Sequence, residues 1–205
     1  MKMSVDIIKS AIPDSLRRAA EAAWPSPDWV HWHRYNGKTG NKYGSMDRDR
    51  LPPACLAALD ALAIAVIPYI GKSFIDYDLH AAGMHMMPPG GFLARHLDAE
   101  CHPIRLWSRT HSIVMGVNSQ WNGQKWGGQL IIEQPEGSLE IFPEPGQAVI
   151  FETAGQWHEV KPVSDCQSTC CNQFRKTLAL FAWDEHWKYD GKTHADFSEG
   201  MTSAH

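Results

Sequence analysis

Between residues 79 and 183 the chain is a series of short apolar runs cut by turn residues, and that rhythm decides the fold class. The runs cover 79–87, 92–96, 110–117, 129–133, 139–142, 147–151, 158–162 and 174–183. Short strands at this spacing predict an all-β barrel or sandwich. Glu144-Pro145-Gly146-Gln147 is a turn feeding the run Ala148-Val149-Ile150-Phe151. Gly127-Gly128, ahead of Gln129-Leu130, allows a close backbone approach or a bulge at a barrel mouth.

The first third has a different period. Residues 6–24 place Ile7, Ile8, Ile12, Leu16, Ala19, Ala20 and Ala23 at roughly helical spacing, with Pro13 as a break or restart. Residues 29–50 are polar, aromatic and glycine-punctuated, and read as a loop region with at most one short strand. Residues 51–70 give the clearest helix. Pro52 and Pro53 start it, and Leu56, Leu59, Leu62, Ala63, Val66, Ile67 and Ile70 form one apolar stripe. The expectation is one domain, mainly β with flanking helices. A helical preface with loops spans 1–72, a β core 73–183, and a C-terminal tail 184–205. With 205 residues and 43% hydrophobic content, the chain can bury a full-sized core.

Charge and cysteine usage narrow the classes. A net charge of −4 without a long basic run argues against stable nucleic-acid binding. No apolar run reaches the roughly eighteen residues that span a bilayer. The N-terminus, Met1-Lys2-Met3-Ser4-Val5-Asp6, lacks the apolar core of a signal peptide. A soluble, cytoplasmic protein is expected. Cys55, Cys101, Cys166, Cys170 and Cys171 are an odd number, which reads as reduced thiols rather than a disulfide framework. The cluster at 166–171 lacks the second pair that a zinc site needs.

The run ending in His96-Leu97-Asp98 carries chemistry. In a strand, residues i and i+2 share a face, so His96 and Asp98 project together. A lone histidine is more often a hydrogen-bonded core residue than a ligand. Asp98 shifts that balance, because a buried carboxylate is costly unless paired or coordinated. His158 opens a strand with Val160 on its face and comes beside His96 if the barrel closes. Two histidines and one carboxylate on a face of a metal is the ligand set of non-haem Fe(II) oxygenases. Arg175 and Thr177 share a face with Ala179, Phe181 and Trp183, while Phe174, Lys176, Leu178 and Leu180 share the other. Arginine binds a carboxylate bidentately, and a threonine hydroxyl can add a third bond. The alternative is an exposed basic pair, Arg175-Lys176, on a strand edge. Trp107, Trp121, Trp126 and Trp157 are core residues or pocket lining by size.

Taken together, His96-Leu97-Asp98, His158, the Gly-Gly-Gln-Leu segment at 127–130, the Pro-Gly-Gln-Ala-Val-Ile-Phe segment at 145–151 and Arg175-Lys176-Thr177-Leu178 resemble the 2-oxoglutarate and Fe(II)-dependent dioxygenases. The similarity runs over residues 84–183, and its branch is the prolyl 4-hydroxylase-like one. The resemblance implies a double-stranded β-helix, the jelly-roll or cupin-like barrel. It implies His96, Asp98 and His158 as iron ligands, and Arg175 assisted by Thr177 for the far carboxylate of 2-oxoglutarate. Fe(II), 2-oxoglutarate and O2 are the implied cofactor and cosubstrates, with ascorbate as a stimulant. The implied reaction hydroxylates an unactivated C–H of a substrate, with a prolyl or other amino-acid residue as one candidate, and releases succinate and CO2. The chain departs from the pattern at Met87, where relatives often carry a tyrosine that reaches the cosubstrate; His85 is the nearby substitute. Residues 164–173 are a longer segment than usual before the basic residue. Collagen-type relatives use lysine there, which makes Lys176 a competitor to Arg175.

Two further functions suit a barrel of this kind. One is a metal-dependent cupin-like enzyme that does not use 2-oxoglutarate, and the other a non-catalytic small-ligand-binding β-barrel. The expected partners are 2-oxoglutarate and an unidentified substrate. Loops 28–50 and 99–109 are expected to cover the mouth.

Overall fold

The computed structural model describes residues 4–80, 82–164 and 173–186, and the backbone of 196–197. The early part of the chain holds β1 (Val5–Ile8), α1 (Asp14–Ala22), β2 (His33–Gly37), β3 (Gly40–Ser45), α2 (Pro53–Val66) and β4 (Phe74–Ile75). Then come β5 (Gly83–Met87), β6 (Phe92–Leu97), β7 (Ser108–Gly116), α3 (Gly123–Trp126), β8 (Leu130–Gln134) and β9 (Gly137–Ile141). The series ends with β10 (Ala148–Glu152), β11 (His158–Val160), β12 (Arg175–Asp184) and β13 (Asp196–Phe197). Every one of the eight apolar runs contains a strand.

The strands form one curled antiparallel sheet in the order β1-β10-β7-β12-β5-β3-β6-β11-β8-β9. Its turning point is β3. Tyr43 pairs with Met86 of β5, while Gly40 pairs with Leu93 of β6. The sheet thus rolls over itself and sets β6 and β11 against the inner face of β12 and β7.

Period-two alternation sorts each strand between two apolar clusters. On the outer face, Met84, Met86, Ile113, Met115, Ala148, Ile150, Leu178, Leu180 and Ala182 pack with Cys55, Ala58, Leu59, Leu62, Ala63 and Val66 of α2 and with Ala20 of α1. On the inner face, Met87, Val149 and Phe151 meet Leu130, Ile132, Ile141 and Val160 across the roll. Leu178 and Leu180 face the helices, so Arg175, Thr177, Ala179 and Phe181 face inward. Among the described residues no helix is long and apolar enough to cross a membrane.

The first third departs from its expected helical character. Val5–Ile8 is a strand at the sheet edge, paired with 148–151, and α1 begins only at Asp14. The apolar residues Val5 and Ile8 find more to bury beside β10 than a short helix would give them, and tertiary pairing overrides local spacing. Residues 33–45 form a hairpin where loop was expected. Its glycines hide it from sequence, because they lower strand propensity, yet they serve close approach. A Cβ on Gly40 would stand 3.3 Å from Leu93 Cδ1, and one on Gly44 would stand 3.4 Å from the Tyr35 ring. Cys55 and Cys101 are buried free thiols; Cys166, Cys170 and Cys171 lie outside the described residues.

Candidate active site

The inner face of the roll encloses a cavity of about 610 Å³. Its wall includes His96, Asp98, His158, Arg175 and Thr177, so the fold brings all five sequence-predicted site residues to one space. Antiparallel pairing of β6 with β11 sets His158 directly opposite His96, with ring centroids 4.2 Å apart. Asp98 follows β6 by one residue. Its Oδ1 lies 3.4 Å from His96 Nε2, and its Oδ2 lies 3.7 Å from His158 Nε2.

The hydrogen bonds behind the rings fix which nitrogen faces the cavity. His96 Nδ1 donates to the carbonyl of Ala94 at 2.8 Å, and His158 Nδ1 donates to that of Gln156 at 3.0 Å. With a proton on Nδ1, a ring that carries no second proton turns its Nε2 lone pair toward Asp98. Burial pushes the His158 imidazole down to about 4, which keeps it neutral at physiological pH. Burial acts to raise the Asp98 carboxyl, but the His158 and His96 imidazoles and the Arg109 guanidinium beside it outweigh burial and hold the group well below the usual carboxylate range. Three lone-pair atoms therefore converge within 4.8 Å of one another. Adjacent vertices of an octahedron with metal bonds of about 2.0–2.2 Å stand roughly 3 Å apart, so a small inward shift seats a cation on all three. The donor set fits an Fe(II) ion. Ser112 Oγ supports it from behind with a 2.5 Å hydrogen bond to Asp98 Oδ2, and Arg109 Nη1 lies 3.7 Å from Oδ1.

A second cluster looks similar and is not. Asp76, His80 and His102 also bring three ligand-type atoms within 4.8 Å of one another, with separations of 2.8, 2.9 and 3.3 Å. But His102 Nδ1 accepts the backbone N–H groups of Ile104 at 3.1 Å and Arg105 at 2.9 Å. Its proton therefore sits on Nε2, the atom that would have to offer a lone pair to a metal. The cluster is a hydrogen-bonded post centred on Asp76, packed against Trp107 and Trp183.

Arg175 opens β12 opposite Met87, and Thr177 lies opposite His85. Arg175 is 5% exposed, and its Nε is buried without a hydrogen-bond partner. No carboxylate pairs with it among the described residues. Burial lowers its guanidinium only to about 10, so it stays charged. Gly128, at φ +74°, packs closely against it, since a Cβ there would stand 2.7 Å from Arg175 Cδ. The adjacent Lys176 points to the helix side of the sheet, close enough to Glu21 to feel its charge. His85 lines the cavity beside Met87.

Sequence reasoning passed over Lys42, Arg109 and Ser112, all of which line the cavity. Lys42 sat in an unrecognised hairpin. Ser112 could have been found from its alternation with Val114 on β7. None of Trp107, Trp121, Trp126 and Trp157 is among the described residues of the wall; Tyr35, Phe151 and Phe181 supply its aromatic surface.

Comparison with known proteins follows the same lines. Residues 82–183 match the family model of the 2OG-Fe(II) oxygenase superfamily. A Pseudomonas putida prolyl-4-hydroxylase is similar at 24% identity and a TM-score of 0.64, over 88% of this chain and 91% of that one. A Trichoplax adhaerens prolyl hydroxylase, solved with a peptide of the hypoxia inducible factor oxygen degradation domain, is similar at 17% identity and a TM-score of 0.62, over 88% and 84%. A non-heme α-ketoglutarate-dependent epimerase of nogalamycin biosynthesis is similar at 9% identity and a TM-score of 0.66, over 89% and 77%. Comparison with curated proteins gave no match. These neighbours share the double-stranded β-helix. Their reactions differ, so the likeness of fold does not select a substrate.

Proposed function

The chain belongs to the 2OG-Fe(II) oxygenase superfamily, and from that premise we propose that it hydroxylates an unactivated C–H of its substrate, with conversion of 2-oxoglutarate to succinate and CO2. His96, Asp98 and His158 would hold Fe(II), and Arg175 with Thr177 would hold the far carboxylate of 2-oxoglutarate. The observation that carries this reading is Arg175. A buried guanidinium without a carboxylate partner among the described residues, in the same cavity as the His–Asp–His set, needs an anion to offset its desolvation. A cupin-like enzyme or a passive barrel whose ligand is not an anion leaves that charge unexplained.

When bound, the metal supplies activation of dioxygen and removal of the substrate hydrogen. The chain supplies placement. The carbonyls of Ala94 and Gln156 hold the two imidazoles in the ligating tautomer, and Ser112 fixes the carboxylate rotamer. Arg175 orients 2-oxoglutarate from its far end, and Thr177 lies two residues along the same face to add a hydroxyl contact. Met87 and Leu93, with Val114, Leu130 and Phe151, form the apolar part of the wall and limit water. The superfamily membership implies O2 as cosubstrate; stimulation by ascorbate is part of the proposal.

The test is succinate release by iron-loaded protein, screened against peptides, free amino acids and other small acids, with oxygenated product sought by mass. Succinate and an oxygenated product formed together support the reading. A product formed at full rate without 2-oxoglutarate overturns it.

A further inference from the structure

The cavity holds more positive charge than the proposed cofactor and cosubstrate use. Its described wall carries Lys42, Arg109 and Arg175 against a single carboxylate, Asp98, although the chain as a whole is net −4. Fe(II) and the dianion 2-oxoglutarate cancel each other, so two cations stay in excess. Arg175 is the anchor assigned above. Arg109 is tied in place: its guanidinium carbon lies 3.7 Å from the Phe181 ring centroid, and Nη1 faces Asp98. Lys42 is left.

Lys42 reaches the cavity from β3, on the strand face opposite Tyr43, which is buried in the helix-side core. Tyr43 pairs with Met86, so Lys42 falls in register beside Met87, which itself pairs with Arg175. Two cations thus stand on either side of Met87. Lys42 has no hydrogen bond or ion pair among the described residues. Its Nζ rests 5.5 Å from the ring centroid of Tyr35, its cross-strand neighbour. Burial lowers its ammonium to about 8, with Asp98 opposing the shift and Arg175 adding to it, so the group is mainly charged at pH 7. A half-buried amine that lines the cavity with no anionic partner among the described residues is free to pair with an anion on a ligand.

We propose that Lys42 is a substrate-recognition residue and that the substrate carries a carboxylate. This rests on the oxygenase reading, which reserves Arg175 for 2-oxoglutarate. The far carboxylate of 2-oxoglutarate has one negative charge, and Arg175 matches it. The second free cation then selects for a second anion. The position of Lys42 suits that role, since its hairpin also supplies Tyr35, Asn36, Gly37 and Thr39 to the wall. A cavity with an excess of one charge sign within low-dielectric walls also concentrates ligands of the other sign. The carboxylate can belong to a free small acid or to an acidic group on a peptide.

Anaerobic Fe(II)-loaded protein is titrated by calorimetry with N-acetyl amino acids and short monocarboxylic acids, each against its own primary amide, with 2-oxoglutarate saturating and again without it. Acidic peptides and their amide counterparts form a second arm, which distinguishes the two sources. In the wild type, the preferred acid binds at least about tenfold more tightly than its amide, as for a charge-assisted contact. Lys42→Met keeps the length and apolar body of the side chain, and it brings that ratio close to one. Lys42→Arg restores a preference for the acid. The 2-oxoglutarate affinity of Lys42→Met stays within about threefold of the wild type. Three results overturn the proposal: amides that bind wild type as well as acids, no acid in either arm that binds wild type, or a Lys42→Met variant that loses 2-oxoglutarate affinity instead. Wild type that fails to bind 2-oxoglutarate sinks the oxygenase reading, while the change in the acid-to-amide ratio from wild type to Lys42→Met, measured without it, still reads Lys42 separately.

Discussion

A histidine can offer a metal only the nitrogen that carries no proton, and here the backbone decides which one that is. Carbonyl acceptors behind His96 and His158 leave their Nε2 lone pairs for a cation, whereas N–H donors behind His102 put its proton on Nε2. His96→Ala, Asp98→Ala and His158→Ala should each yield folded protein without bound iron, and Asp76→Ala should keep its iron. Elemental analysis after gel filtration checks this; iron lost from the Asp76 variant and kept by the other three would reverse the assignment. The basic neighbours on β12 give a second comparison. Arg175→Ala removes a charge-assisted bidentate contact of roughly 2–4 kcal/mol, or a 30- to 1000-fold loss of 2-oxoglutarate affinity. Lys176→Ala, on the helix side of the sheet, should change it by less than about threefold. A larger loss from Lys176→Ala would show the anchor to be the wrong residue.

At the scale of elements, a strand's side chains are sorted by its register, and the site depends on where each strand comes close to the next. Gly128 is one such point, since positive φ and the nearness of Arg175 both exclude a side chain. Gly128→Ala should cost about 1–3 kcal/mol in strain and also weaken 2-oxoglutarate binding by displacing Arg175. Titration of a variant shown to be folded by circular dichroism separates the two effects; unchanged affinity would mean that Arg175 adapts freely. On the outer face, Leu62 is fully buried under the sheet, and Leu62→Ala should lower stability by about 2–5 kcal/mol without changing iron content. Denaturant unfolding of the iron-free protein measures the first half, and a loss under 1 kcal/mol would show a loosely packed helix. The eight apolar runs and α2 were legible in sequence because their periods match their burial. The residues at 5–8 were not, since their pairing with β10 is a tertiary choice. The hairpin at 33–45 was not, because glycines needed for close packing look like loop. Lys42 stayed hidden for the same reason.

For the whole molecule, one roll of sheet does two separate jobs. Its outer face binds the helices through Leu178, Leu180, Met84 and Met86, and its inner face gathers the polar groups. Alternation put Arg175 and Lys176 on opposite faces, but an exposed basic pair on a strand edge fitted the same pattern, and only the His–Asp–His motif favoured Arg175 as the inner residue. The convergence of His158 on His96 needed closure of the roll, which no local pattern contains, and the resemblance of the combined motifs stood in for it. The excess of positive charge within the cavity was not legible at all, because Lys42, Arg109 and Arg175 are far apart in sequence. What unites these parts is the claim that the cavity binds iron and 2-oxoglutarate together. Anaerobic titration of 2-oxoglutarate into Fe(II)-loaded protein tests it, through the visible charge-transfer absorption of a 2-oxo acid chelated to Fe(II). The absorption should rise to saturation at one equivalent per chain, vanish in His158→Ala, and need much more 2-oxoglutarate in Arg175→Ala. Iron-loaded wild type that gives no such absorption at any 2-oxoglutarate concentration would refute the claim.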